Sequence, residues 1–207
     1  MSATPPIIHV VDDDPSFRTA VTRLLRAAKY DVRGYRSASE FLDSDRCADP
    51  GCILLDLRMP VVNGLDLQQS LAHMEGRLPI IFLTGHGDVP ASVRAMKAGA
   101  VDFLIKPVER ATLLRAVQNA LEFDATERKS RAILRKLRQS YETLTARERE
   151  VLAHVVSGKL NKQIAFDLST SERTIKAHRA HIMNKLAIQS VAELVRIAQN
   201  LGIQPIR

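Results

Sequence analysis

The 207-residue chain has two cysteines, no tryptophan and only 4% aromatic residues. Cys47 and Cys52 are too few for a disulfide framework, and their spacing matches no metal-ligand pattern. Cys52 lies in an apolar run and reads as a small core residue. No run of about 18 apolar residues occurs, which excludes a transmembrane helix. Met1 to Pro6 lacks a basic stretch followed by a long apolar one, so no signal peptide is expected and the cytosol is the expected location. Low-complexity segments are absent too, and the length suits one or two globular domains.

What the chain does have is unevenly placed charge. Residues 1–123 hold 14 Lys/Arg against 15 Asp/Glu, residues 124–143 hold 6 against 3, and residues 144–207 hold 10 against 5. The net +7 therefore resides behind a near-neutral body. No basic helix carries a large aromatic apolar face, so nucleic acid is the expected partner rather than a membrane.

The first two-thirds alternate apolar runs with amphipathic stretches. Ile7–Val11, Asp31–Arg36, Ile53–Leu55, Leu78–Leu83 and Ala100–Ile105 read as strands. Helices are expected at Ser16–Ala28, Ser37–Leu42, after Asn63-Gly64 (with Leu65, Leu67, Leu71 and Met74), at Val89–Ala98 and at Glu109–Glu122. Five strands alternating with five helices predict a doubly wound α/β parallel sheet. In such sheets ligands bind beyond the carboxyl ends of the strands. Those ends carry Asp12 and Asp13, Asp56, Thr84 and Lys106.

Asp14, followed by Pro15, is explained as a helix cap. The remaining three acids, alone, could start turns; together they repel unless a cation neutralises them. All-oxygen ligands with room for water suit Mg²⁺. A carboxylate beside such a metal can act as a nucleophile toward phosphorus, with a Lys and a Thr hydroxyl contacting the phosphoryl oxygens.

The last third reads as four helices. Thr145-Ala146-Arg147-Glu148 is a capping box, Asn161–Leu168 a short helix, Thr170-Ser171 a cap before Glu172–Leu186, and Ser190-Val191-Ala192-Glu193 a second capping box opening a helix to Leu201. Two short helices joined by a tight turn, the later one basic, predict a helix-turn-helix. Ile175, Ile182 and Leu186 face inward by spacing, which leaves Arg173, Lys176, Ala177, Arg179 and Ala180 largely on other faces. Before this domain, Leu134, Leu137, Tyr141 and Leu144 make a short helical seam, either a stiff connector or a linker resting on the second domain.

Val10-Val11-Asp12-Asp13, Leu55-Asp56-Leu57-Arg58-Met59-Pro60, Leu83-Thr84-Gly85 and Lys106-Pro107 resemble the receiver domain of two-component response regulators. The resemblance implies Asp56 as phosphoacceptor, with a sensor histidine kinase as donor. It implies Mg²⁺ bound by Asp13, Asp56 and the backbone carbonyl of Arg58, with Asp12 contacting it through water. It further implies that Thr84 and Lys106 hold the phosphoryl oxygens, that Phe103 is the switch aromatic, and that Lys106-Pro107 is cis. For Phe103, an ordinary core role stands beside the switch role.

Leu144 to Leu152, Gly158, Asn161-Lys162-Gln163-Ile164-Ala165 and Thr174 to Arg179 are similar to the DNA-binding domain of the LuxR/NarL/FixJ family, and the whole looks like the FixJ branch. The implied domains are a receiver at 1–122, a helical linker at 123–141 and a helix-turn-helix domain at 142–207. The implied DNA residues are Lys162, Arg173, Thr174, Lys176, Ala177, Arg179, Ala180 and Lys185, although relatives often carry Lys at position 180. A homodimer is expected through the 89–122 face and helix 191–201, with Val191, Leu194 and Val195 at the latter. The expected activity is phosphorylation-controlled transcription regulation, not enzymatic turnover: Arg58 stands where Asp-nucleophile phosphatases usually carry a second acid. A phosphorylation-independent docking module is the other rival.

Overall fold

A computed structural model describes residues 4–44, 49–73, 77–85, 89–203 and 206. Met74, Cys47 and the His86-Gly87-Asp88 part of the loop after Thr84 lie outside these. The chain forms two compact units, residues 1–128 and 129–207.

The first unit holds β1 (Ile7–Val11), α1 (Pro15–Ala27), β2 (Asp31–Tyr35), α2 (Ala38–Leu42), β3 (Gly51–Asp56), α3 (Gly64–Ala72), β4 (Ile80–Thr84), α4 (Val89–Lys97) and β5 (Asp102–Ile105). It also holds most of α5 (Arg110–Glu142), which runs on past residue 128. The strands are all parallel in the order β2-β1-β3-β4-β5. Alternate residues of each strand enter two separate cores. Ile53, Leu55 and Phe82 pack with Leu67, Leu71 and Ala95 on one face, while Ile8, Val10, Leu54 and Leu83 pack with Leu25, Leu113 and Val117 on the other. This two-sided burial is why β1, β3 and β4 are buried at every position and mostly apolar, with His9 inside β1 and Asp56 and Thr84 at the strand ends as the polar exceptions.

β5 is less buried than β1, β3 and β4. It lies at the sheet edge, so Phe103 is only partly buried and Ile105 is exposed. The α1 start follows the cap reading: the Asp14 carboxylate accepts from Ser16 N–H and Phe17 N–H, and Pro15 opens the helix.

The second unit holds α6 (Ala146–Val156), α7 (Asn161–Asp167), α8 (Glu172–Lys185) and α9 (Val191–Asn200) around a core of Val151, Leu152, Ile164, Ile175, Ile182 and Leu194. Leu144 joins this core and Tyr141 packs against it, so the upper half of the seam is occupied by the second unit. The Thr145 capping box is closed in both directions. The one expected at Ser190 is not. Ser190 Oγ accepts from Glu193 N–H, but the Glu193 carboxylate reaches one residue further back, to Gln189 N–H.

Candidate functional site

The parallel topology delivers four strand ends to one edge, and the expected groups meet there. Asp12 follows β1, Asp56 ends β3, Thr84 ends β4 and Lys106 follows β5. Carboxylate oxygens of Asp12, Asp13 and Asp56 lie within 4.8 Å of one another; Asp12 and Asp56 are buried and Asp13 is exposed. Lys106 Nζ donates to Asp12 Oδ2 at 2.6 Å and lies 3.2 Å from Asp56 Oδ1. The ammonium also stands 4.1 Å above the Phe17 ring. Asp12 is fixed further by Asp14 N–H on its Oδ1 and by Arg18 on its carbonyl. Lys106 N–H donates to the Thr84 carbonyl, which ties the last two strand ends together, and the Lys106-Pro107 bond is cis.

Charge in this pocket is poised. Burial pushes the Asp56 carboxyl above its usual range; Lys106 opposes that, and the charges of Asp12 and Asp13 add to it. Burial works against the Lys106 ammonium, but the bonds and charges of Asp12 and Asp56 prevail and hold it above the ordinary lysine value. Two buried acids are thus balanced by one cation, with a third acid at the mouth. Phe103 lies across from Phe82, ring centroids 6.2 Å apart, against the α3–α4 core. Arg58 is exposed in the loop after β3.

In the second unit, α8 presents Arg173, Thr174, Lys176, Ala177 and Ala180 to solvent, and Lys162 is exposed on α7. Two residues implied at the DNA hold the fold. Arg179 is half-buried and donates to Asn161 Oδ1, which ties α8 to α7. Lys185 donates to Glu148 Oε2 at 2.7 Å and to the Thr143 carbonyl. His181 and Asn184 are exposed on the same stripe as Ala177 and Ala180. Leu194 is 2% exposed and belongs to the domain core, so it is unavailable to a partner; Val191 is exposed and Val195 half-buried.

Comparison with known proteins decides the family. The model of the response regulator receiver domain matches residues 8–118 and that of the luxR family of bacterial regulatory proteins matches 142–198. This chain is a response regulator with a LuxR-type DNA-binding domain. It is 43% identical to nodulation protein W of Bradyrhizobium diazoefficiens, over 98% of this chain and 89% of that protein. It is 39% identical to the transcriptional regulatory protein FixJ of Rhizobium meliloti, over 96% and 97%. Among solved structures it matches the response regulator StyR at 44% identity and TM-score 0.81, over 95% of this chain and 99% of that one. Full-length FixJ from B. japonicum matches at 38% identity and TM-score 0.58, over 97% and 99%.

A response regulator of this kind is a transcription regulator controlled by phosphorylation, and no helix among the described residues is long and apolar enough to cross a membrane. The regulator's DNA-binding domain also contains a buried acid that sequence reading assigned only to a cap. Glu148 is held at about 2, well below its usual 4.5, first by the Lys185 hydrogen bond and then by the Thr145 N–H. Because the folded-state pKa is depressed, the stability it contributes is full above 4.5 and is lost as pH falls toward 2. Glu148→Gln is therefore expected to destabilise this domain by about 1–3 kcal/mol at neutral pH. The gap should close in acid, as read by urea unfolding at several pH values; a gap independent of pH would sink the ion-pair account.

Proposed function

We propose that Asp56 takes a phosphoryl group from a sensor histidine kinase and that this drives dimerisation and binding to promoter DNA. The observation that carries the reading is the convergence of Asp12, Asp13 and Asp56, with Lys106 paired to Asp12 and Asp56. In the transfer, an Asp56 carboxylate oxygen attacks phosphorus, the P–N bond of the phosphohistidine breaks, and the imidazole leaves and recovers a proton. The all-oxygen donor set fits a hard divalent cation; Asp12, Asp13, Asp56 and the Arg58 carbonyl would hold Mg²⁺, which would supply charge neutralisation to the phosphoryl oxygens. Lys106 and the Thr84 hydroxyl would contact those oxygens.

The phosphoryl group adds a charge of about −1.5 to −2. Lys106 would then shift from Asp12 toward it, with Thr84, and Phe103 would repack against Phe82. Val93, Met96 and Ile105 on the 89–122 face are large, apolar and exposed, which suits a receiver dimer. In the second unit the reading face would be Arg173, Thr174, Lys176, Ala177 and Ala180, with Lys162 near the backbone and Val191 and Val195 at a second dimer contact. The protein would act in the cytosol, where kinase and promoter are, without enzymatic turnover of its own.

The test is to add Mg²⁺ and acetyl phosphate to the full chain and to Asp56→Ala, reading oligomeric state and affinity for target DNA. Wild type alone should dimerise and bind more tightly. Equal, unresponsive binding by both would leave the receiver as a docking module.

A further inference from the structure

Beyond the sheet, α5 is anchored to the receiver by a polar clamp. Apolar burial along the helix runs through Leu113, Ala116, Val117 and Ala120, after which the one further buried residue among those described is Asp124. Asp124 Oδ2 accepts from Gly51 N–H at 3.0 Å and from Arg128 Nε–H at 2.7 Å. Arg128 reaches past it and donates from Nη2 to the Asp49 carbonyl. On its other side the same segment is locked to β1. Ile7 N–H donates to the Pro50 carbonyl at 2.8 Å, and a Cβ on Gly51 would lie 1.8 Å from the Ile7 carbonyl oxygen. The clamp thus grips the first residue of β3, the strand whose last residue is Asp56.

The chemistry of the joint matters. Apolar packing is non-directional and lets a helix slide or roll. A forked guanidinium shared between a buried carboxylate and a carbonyl fixes both distance and rotation. An Asp and an Arg four residues apart would ordinarily be a solvated helix pair; here the carboxylate is buried, Asp124 reaches the start of β3 and Arg128 reaches the loop before it.

We propose that Asp124 and Arg128 form the coupling joint of this regulator, making the first turn of the linker rigid with the receiver. A change at the phosphorylated receiver then sets the direction of α5 instead of being lost by bending over residues 121–128. This rests on the phosphorylation reading above. The residues act by positioning α5 and contact neither phosphoryl group nor DNA.

The test compares the full chain with Arg128→Gln and Asp124→Asn, using acetyl phosphate with Mg²⁺. Both variants should phosphorylate on Asp56 like wild type. Amide exchange over residues 121–130 should accelerate by about tenfold in Arg128→Gln while residues 110–118 stay protected. The phosphorylation-dependent gain in DNA affinity should fall by at least about fivefold. Asp124→Asn, which keeps an acceptor for Gly51 but no charge for Arg128, should show the same pattern more weakly. A full gain in Arg128→Gln, unchanged exchange, or loss of phosphorylation in both variants would overturn the proposal. No gain in wild type would sink the phosphorylation reading and this proposal with it, whereas a gain kept only by the variants' wild-type parent supports both.

Discussion

Lys106→Ala is expected to make the protein weaker in chelator and greedier for Mg²⁺. Lys106 Nζ stands 2.6 Å from Asp12 and 3.2 Å from Asp56. Its side chain is 17% exposed, so the pair is poorly screened. Removing it leaves two buried carboxylates and an exposed third with no facing ammonium. Breaking a buried pair costs about 3 kcal/mol, which should appear as a lower urea midpoint in EDTA. Mg²⁺ should restore most of it, because a divalent ion supplies the charge that Lys106 gave up. It should also bind about tenfold more tightly, since it no longer has to repel an ammonium sharing its ligands. The same variant should lose the DNA response to acetyl phosphate. Titration of Mg²⁺ by calorimetry decides the matter; weaker binding would mean that Lys106 shapes the acid site rather than competing for it.

Gly64→Ala should have the second large effect, with a sign opposite to the usual one. At an unstrained helix position this exchange stabilises by about 0.4–1 kcal/mol by restricting the unfolded chain. Gly64, however, starts α3 directly against the chain at Asp56 and Leu57. A Cβ there would stand 2.4 Å from the Asp56 carbonyl oxygen, 2.9 Å from Phe82 Cε1 and 3.2 Å from Leu57 Cα. Two of these neighbours are backbone, and Gly64 N–H is itself bonded to the Leu57 carbonyl. The methyl can enter only if the loop from Asp56 to Gly64 opens. A loss of about 3 kcal/mol follows from overpacking of this kind. Thermal unfolding would measure it, and Mg²⁺ affinity should weaken in parallel because the shifted residue is Asp56. A stabilised variant with normal Mg²⁺ binding would refute the close contact.

The sheet was legible because burial on both faces writes itself as mostly apolar runs, and parallel topology then forces Asp12, Asp56, Thr84 and Lys106 to one edge. β5 was less legible, because at the sheet edge its residues are only partly covered and Ile105 carries apolar character into solvent. Beyond that shared edge, the individual pairings of residues far apart in sequence were not legible. Nothing local announces that Lys106 reaches two acids, that Asp124 finds Gly51, or that Lys185 crosses to Glu148. Leu194 is a different case. Leu194, Ile197 and Ala198 share one helical face, and that spacing alone places Leu194 inward. Assigning it to a dimer surface gave family likeness precedence over periodicity. For Phe103 the structure shows packing on Phe82, which suits both the core and the switch role.

The bond between Lys185 and Glu148 also changes how the domain's charge should be counted. Residues 144–207 carry 10 Lys/Arg, and each one resting on a phosphate would release a condensed counterion from DNA. Lys185 has an internal anion in place of a phosphate, and Arg147 and Lys159 likewise face Glu150 and Asp167. Three of the domain's cations are thereby engaged before any duplex arrives. The dependence of affinity on ionic strength should therefore be shallower than the basic census implies, leaving more of the discrimination between promoters to the small, exposed alanines of α8 and the side chains that flank them.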